Sequence, residues 1–495
     1  MARAAAAVRG VLRQSDRHPI LAGIGTNFIA EFARAATLPV IAIIAARYLG
    51  AANYGVLATG QVLVGLAAAL TGFGLLYAIL QLGSRRDEEL SALLTTGVLA
   101  ALASAAVMYG GLFLWVWAFS YDTETQRVTM ALGLSLFATA LNGQLGAGLQ
   151  VQGRYPMIAV AGIISTVFNA VYAIAVIAAD RGVLALAWSP VVGGGSNAIV
   201  LLYALRSEFR PRVSLSLARR LFGIGWPFGL NDFLYLIYFS IDIVILSLIS
   251  TDRQVGLYNV PVRIIVVMFL LPMVVFNRVL YPRFFDWTVN DRERLREVYL
   301  LSSKGILVLG LVAGALLITF AAPGVPFVFG DSFHDSIVML QVLALAVPLR
   351  YFLSASSTVL ATSGLNRERL ILIGAAAAVN IALCFSLIPF FDAMGAAVAT
   401  VLGEALYLTG VLWIVHSRAL KADLVRDARL PLLAVPAGLI VAAVVAGRYE
   451  AWAAGVCGGL AIASLVLLLG PFGYLKREEL FGKARVAPER GSLAD

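Results

Sequence analysis

The sequence predicts an all-α integral membrane protein of about 14 transmembrane helices, built as two six-helix bundles related by a pseudo-two-fold axis along the membrane normal plus a C-terminal helix pair. Three observations predict it. Of the 495 residues, 60% are apolar and only 13% charged, with a mean hydropathy of +0.89, a balance foreign to a soluble globule. The apolar residues fall in separate runs of a length that a hydrocarbon core roughly 30 Å thick requires of spanning helices. The two halves of the chain also carry a weak internal duplication.

Breaks at polar, Gly and Pro residues place spans near 21–46, 54–82, 92–118, 128–149, 157–179 and 183–205 in a first block, and near 221–249, 255–280, 299–320, 336–362, 369–390 and 394–415 in a second. Two more follow near 430–446 and 452–472. The organisation is then a cytoplasmic N-terminal segment (1–20), an N-terminal lobe (21–206), a cytoplasmic linker (207–220), a C-terminal lobe (221–417), a short cytoplasmic link (418–429), the extra helix pair (430–472) and a cytoplasmic tail (473–495). Segments assigned alternately to the cytoplasmic side, counted with Lys304 and Arg369 at the adjoining span ends, hold 28 of the 37 Lys and Arg, against five on the other side. By the positive-inside rule both termini are cytoplasmic. Arg3, Arg9, Arg13 and Arg17 lead into an apolar run longer than a signal-peptide core, so the first span is expected to be retained.

The net charge of +9 reads as this topology rather than as a nucleic-acid footprint. Cys384 and Cys457 lie inside apolar runs and build neither a disulfide framework nor a thiolate metal site. His18, His334 and His416 are far apart, and no phosphate-cradling, zinc-protease or nucleophile-elbow motif is present. No metal, cofactor or enzymatic activity is expected. The inter-span segments are too short to hold a soluble catalytic domain, which also argues against a glycosyltransferase or polymerase acting from a large outer loop.

In the duplication, Gly153-Arg-Tyr-Pro followed by Asn169 matches Gly364-Leu-Asn-Arg followed by Asn380 at the same spacing of sixteen. Gly182-Val-Leu-Ala-Leu-Ala parallels Gly395-Ala-Ala-Val-Ala-Thr. Asn53-Tyr-Gly-Val-Leu parallels Gln254-Val-Gly-Leu-Tyr, which pairs Gly55 with Gly256 and sets Glu31 opposite Asp232. Each block has an even number of spans, so duplication preserves orientation and a cavity is expected between the lobes.

Charges at mid-bilayer cost about 2.5–3.5 kcal/mol on insertion scales and therefore mark pairs or a wet cavity. Glu31, Arg34, Asp232, Asp242, Arg263, Arg350 and Glu404 are such charges, and Asn231 accompanies Asp232. Asn27, Glu31 and Arg34 share one helical face, as do Asn231, Tyr235, Tyr238 and Asp242, then Arg350, Ser354 and Ser357, and Thr400, Glu404 and Tyr407. Each has a plainer reading. Glu31 and Arg34 can neutralise each other at i, i+3; Asp242 and Arg263 can cap or snorkel near span ends; Arg278 can be a topology charge. Arg350 has no acidic residue within a turn or two of its own helix, which favours a cavity role.

Ala46-Arg-Tyr-Leu-Gly-Ala-Ala-Asn-Tyr-Gly-Val-Leu resembles the "aRyLGpeeyGly" signature of the polysaccharide-biosynthesis branch of the multidrug/oligosaccharidyl-lipid/polysaccharide exporter superfamily. Asp242-Ile-Val-Ile-Leu, Val255-Gly-Leu-Tyr-Asn-Val-Pro-Val-Arg263 and Gly395-Ala-Ala-Val-Ala-Thr are similar to further signatures of that family; Ala51 and Pro261 depart from it without touching a charge. The resemblance implies a Wzx-like flippase in a bacterial inner membrane, moving a polyprenyl-pyrophosphate-linked oligosaccharide by alternating access for O-antigen, capsule or exopolysaccharide synthesis. Its partners would be that lipid-linked oligosaccharide, membrane lipids, a polysaccharide polymerase and chain-length machinery, with no nucleic acid. Arg34, Arg263 and Arg350 are then candidate diphosphate partners, while Asp232, Asp242 and Glu404 pair with those arginines, exclude other solutes or carry a coupling H⁺ or Na⁺. A drug/cation antiporter of the same superfamily and a non-transporting lipid-binding scaffold are the alternatives. A major-facilitator carrier is disfavoured, because Gly83-Ser-Arg-Arg lacks the acidic residue expected before its loop glycine.

Overall fold

In lipid a backbone can satisfy its own N–H and C=O groups only as a helix or a closed barrel. Among the described residues the chain is helical with no strand. The computed structural model describes residues 19–85, 88–208, 213–269, 272 and 280–420, with the side chains of 19–36 and 38 outside that description. The expected helix pair at 430–472, with Cys457, and Arg278 also lie outside the described residues.

The helices are α1 (Pro19–Leu70), α2 (Leu75–Arg85), α3 (Leu90–Ala118), α4 (Thr123–Gly133), α5 (Ser135–Val151), α6 (Tyr155–Ala178), α7 (Gly182–Leu186), α8 (Ser189–Leu205), α9 (Leu215–Ile249), α10 (Asp252–Met268), α11 (Tyr281–Asn290), α12 (Arg292–Phe329), α13 (Ser336–Leu343), α14 (Ala346–Thr362) and α15 (Asn366–Ile414). Two of these are pairs of helices joined at one residue. Gly50, at φ 69°, turns the chain between the first and second expected spans inside α1, and Asp392, at φ 47°, does the same between the eleventh and twelfth inside α15. Asp122 starts α4 by accepting from the backbone N–H groups of Glu124 and Thr125, an N-cap that closes two orphan donors.

Three expectations needed revision. α12 extends into both of its expected flanking loops: Asp291 accepts from the Arg294 backbone N–H and starts it early, and it continues past Pro323 and Pro326 to Phe329. Prolines near a helix end remove donors that neighbouring groups can replace, so they do not stop a membrane helix as they would a soluble one. The segment 281–298, expected to be a link, holds the short helix α11. The second span is interrupted at 72–74, where Gly72, Phe73 and Gly74 all take positive φ.

The chain forms two compact units. Among the described residues, the first comprises 19–263, 325–336 and 373–399, and the second comprises 264–324, 337–372 and 400–420. In the first, α6 packs on α8 and α1, α5 packs on α3 and α8, and α9 packs on α1 and α2 around a core of Leu57, Ile79, Leu93, Leu132 and Leu136. In the second, α11 packs on α14, and Phe284, Tyr299, Tyr351 and Val359 are buried. Large apolar side chains also face outward, among them Val107, Phe113, Leu114, Val171, Ile174 and Ile199, with Trp115, Trp117 and Phe119 gathered at one end of α3. Outward apolar surface flanked by an aromatic cluster suits acyl chains and an interfacial belt, and the chain is a multi-pass membrane protein.

Contacts within the first unit respect the alternation of sides read from the sequence. Segments expected on one side meet one another: Tyr48 donates to Asp180 at 2.8 Å, Arg253 pairs with Asp335 at 3.0 Å, and Ser250 donates to Asp392 at 2.7 Å. Of the opposite set, Arg220 pairs with Glu88 at 2.8 Å. The duplication is visible too. Gly153 and Gly364 share a positive φ of 69° and 77°. Gly55 and Gly256, paired by the repeat, are direct neighbours in a reciprocal contact. A Cβ on Gly55 would lie 1.7 Å from the Asp252 carbonyl oxygen, and one on Gly256 would lie 1.9 Å from that of Ala51, each four residues before the partner glycine. Such an exchange is what a two-fold relation between the second and eighth spans produces, and small residues let the backbones meet.

A side chain at this seam must separate two backbones. Gly55→Val is expected to destabilise the protein by about 1–3 kcal/mol or more, the cost of overpacking a fitted contact. Gly65→Ala, on the same helix but facing open space, should leave the melting temperature in detergent unchanged or higher. Equal melting of wild type and Gly55→Val would remove the seam from the account.

Candidate functional site

Among the described residues, the charges singled out by the sequence fall in three polar groups, two in the first unit and one in the second. In the first unit α9 and α10 face each other through Asp242 and Tyr258, both buried, and the Tyr258 hydroxyl donates to Asp242 Oδ2 while the Ile243 backbone N–H donates to Oδ1 at 2.9 Å. Cys384 lies in the field of Asp242, with its Sγ 3.5 Å from Asn380 Oδ1, and both residues are buried. Asp242 is therefore not a snorkelling residue. One turn further along α10, Arg263 is exposed, with its Nε donating to Asn259 Oδ1 at 3.2 Å and Nη2 donating to Gln61 Oε1.

The second group joins α9 to α2. Tyr77 donates to Asp232 Oδ2 at 3.1 Å and the Asn231 amide approaches Oδ1 at 3.5 Å; Asn231 and Asp232 are both exposed. Two uncharged donors, but no cation, hold this carboxylate in the hydrogen bonds described. Glu31 and Arg34 lie on α1, while their side chains fall outside the described residues.

The third group belongs to the second unit. Arg350 of α14 donates from Nη1 to both carboxylate oxygens of Glu404 on α15, at 3.0 and 3.3 Å, and its guanidinium carbon sits 5.3 Å from the centre of the Phe269 ring. Side-chain exposure is 11% for Arg350 and 4% for Glu404, so both charges are withdrawn from solvent. Tyr407, one turn beyond Glu404 on α15, is buried. Ser354 returns its hydroxyl to the Arg350 carbonyl at 2.9 Å.

The structure thus joins Arg350 to Glu404, and separately gives Asp242, Arg263 and Asp232 uncharged partners. Sequence spacing did not reach Gln61, Tyr77 or Tyr258, because each meets its partner through another helix, whereas Asn259 lies one turn before Arg263 on the same helix, a spacing that could have found it. Asn380 was marked by the repeat, and Tyr407 by its spacing from Glu404.

The long apolar helices, with charges paired between them, define a polytopic membrane protein. Residues 44–338 match the family model described as polysaccharide biosynthesis protein, and the chain belongs to that family. A structure described as lipid II flippase MurJ in an inward closed conformation is similar with a TM-score of 0.70 at 15% identity, covering 90% of this chain and 98% of its own. An inward-facing multidrug resistance MATE family transporter of the MOP superfamily gives a TM-score of 0.62 at 18% identity, covering 77% and 93%. A eukaryotic MATE transporter, AtDTX14, gives 0.53 at 18% identity, covering 85% and 99%. At such identities the likeness is one of fold. No curated protein matches the chain at a significant level.

Removing one partner of a buried ion pair strands the other, at a cost of about 3–5 kcal/mol, whereas replacing both by apolar residues is often neutral. Arg350→Leu should lower the melting temperature markedly, and Arg350→Leu with Glu404→Leu should restore it to near the wild-type value. A double variant no more stable than the single one would show that the pair is not what neutralises these charges.

Proposed function

We propose that the protein is a flippase that carries a polyprenyl-pyrophosphate-linked oligosaccharide across a bacterial inner membrane by alternating access, for the assembly of a surface polysaccharide. The observation that carries this reading is the family match over residues 44–338, joined to a fold shared with a lipid II flippase over 90% of this chain. The physical demand agrees with it. A diphosphate cannot enter hydrocarbon unpaired, so its carrier must hold guanidinium or equivalent donors at membrane depth. Arg350 is such a group, buried and already bound to a carboxylate, and Arg263 is a second cation on the eighth span, held by neutral amides. Arg34, on the first span, is proposed as a further guanidinium for the diphosphate.

In this reading the lobes 21–206 and 221–417 alternate about the membrane normal, with both termini in the cytoplasm, as the placement of Lys and Arg favours. The buried carboxylate of Asp242 is the proposed place for a coupling H⁺ or Na⁺, and the partners are the lipid-linked oligosaccharide, membrane lipids and the polymerase and chain-length machinery that act on the product. The fold shared with multidrug transporters supports a second reading, exchange of a hydrophobic cation, for which Asp232, Asp242 and Glu404 would be the attracting charges.

Expression in a bacterium lacking its own flippase separates the two readings, once membrane fractionation has confirmed that the proteins are present. Wild type is expected to restore surface glycan, and Arg350→Ala is expected to leave lipid-linked oligosaccharide on the cytoplasmic face. No restoration in several glycan backgrounds, together with resistance to cationic drugs, would overturn the flippase reading in favour of the antiporter.

A further inference from the structure

We infer that α11 is an in-plane membrane anchor, a short helix lying along the surface of the bilayer with Tyr281, Phe285 and Val289 inserted into the phospholipid leaflet at the level where headgroups meet acyl chains. This surface belongs to the second unit, and its assignment is independent of what the protein carries.

α11 has three faces. Phe284 is fully buried, with Trp287 and Thr288 half-buried beside it, and this is the face turned to the protein, where α11 packs on α14. Tyr281, Phe285 and Val289 follow at i, i+4 and i+8 and are 38%, 54% and 77% exposed, so they form an apolar stripe with little protein over it. Arg283, Asp286 and Asn290, all exposed, make the third face, on which Asp286 accepts from the Asn290 amide at 2.7 Å. The stripe and the polar face both run the length of the helix. Ten residues of helix reach about 15 Å, half of a hydrocarbon core, and a helix polar along its whole length cannot point down into that core. The orientation that wets one long face and buries the other is parallel to the membrane surface.

The chain around α11 puts it at the edge of the bilayer. α12, long and apolar enough to span, begins at Arg292, and only Asp291, at φ −153° and ψ 80°, stands between the two helices and turns the chain. α12 in turn exposes Leu309, Leu316 and Phe320 at i, i+7 and i+11, a single helical face that belongs to the outward apolar surface suited to acyl chains. The stripe of α11 thus continues, at the foot of a spanning helix, a surface already given to lipid. Tyr281 and Trp287 are residue types that settle at the boundary of headgroup and acyl chain, and the Arg294 guanidinium lies 5.4 Å from the centre of the Trp287 ring. The four arginines between 281 and 297 are matched by four acids, so the segment has no net charge, and the apolar stripe rather than attraction to anionic lipid carries the insertion. α11 packs on α14, and Tyr299 of α12 shares a hydrogen bond of 2.9 Å with Ser356 of α14, so the anchor holds this end of α14 at a fixed depth.

The experiment attaches one environment-sensitive fluorophore at a time to an introduced cysteine in the full-length protein, with Cys384 and Cys457 replaced by serine, reconstituted in phosphatidylcholine vesicles. Val289→Cys reports the stripe and Asn290→Cys the polar face next to it; Tyr281→Cys and Arg283→Cys repeat the comparison at the other end of the helix. Quenching by a nitroxide placed high on the lipid acyl chain is expected to be severalfold stronger at 289 than at 290, and quenching by aqueous iodide severalfold stronger at 290 than at 289. Phe285→Asp, added to the Val289→Cys protein, should raise iodide quenching at 289 towards the level of 290, because a carboxylate in the stripe lifts it out of the acyl chains. Should Phe285→Asp fail to fold, the two pairs of labels still decide the matter. Adding phosphatidylglycerol to the vesicles should leave the pattern unchanged. Equal access of iodide to both labels puts the stripe in water and overturns the anchor. Protection of 289 from both quenchers means that protein covers the stripe and overturns the lipid assignment. Insertion that appears only with phosphatidylglycerol overturns the stripe as its cause.

Discussion

The constraint on which this structure depends is that hydrocarbon offers no partner to a polar group. It makes the described chain helical. It also decides where charge can be kept, because a carboxylate or guanidinium withdrawn from water must meet its complement on another helix. Arg350 and Glu404 satisfy that demand across α14 and α15, and the Asp242 carboxylate does so through the Tyr258 hydroxyl across α9 and α10. The paired charges are thus fixed points between helices whose apolar faces alone would slide past one another.

The same physics separates fold from function. Neutralising Arg350 stabilises the protein, yet a protein that only had to be stable would lose little by filling both positions of the pair with leucine. Retaining an ion pair at 11% and 4% side-chain exposure makes sense where one partner must later be exchanged for a ligand. Close backbone contact serves the other requirement of a membrane bundle, a defined packing without hydrophobic drive between helices. Gly55 and Gly256 provide it, and their reciprocity carries the internal duplication into three dimensions.

Much of the fold was legible because it follows from length and hydropathy. Among the described residues the expected spans up to 415 fall on helices, the eighth as far as Met268, with Gly50 and Asp392 as single-residue turns that join two pairs of them. Legibility failed where helix and loop differ by local satisfaction of the backbone and not by polarity. The prolines of α12 read as a break and are carried by a continuing helix, and the turn at 72–74 is hidden in an apolar run. The candidate site was legible by residue and not by pairing. Arg350 stood out for lacking an acid near it on its own helix, whereas its partner is 54 residues away.

The central claim is that a cation held at membrane depth by an internal carboxylate is there for transport rather than for folding. The most direct measurement is transbilayer movement of a fluorescent polyprenyl-diphosphate oligosaccharide in proteoliposomes, followed by quenching from the outer face. Wild type is predicted to accelerate movement well above protein-free vesicles, and the doubly apolar variant Arg350→Leu with Glu404→Leu, folded and inserted, is predicted to fall to the protein-free rate. Movement by that variant as fast as wild type would contradict the account.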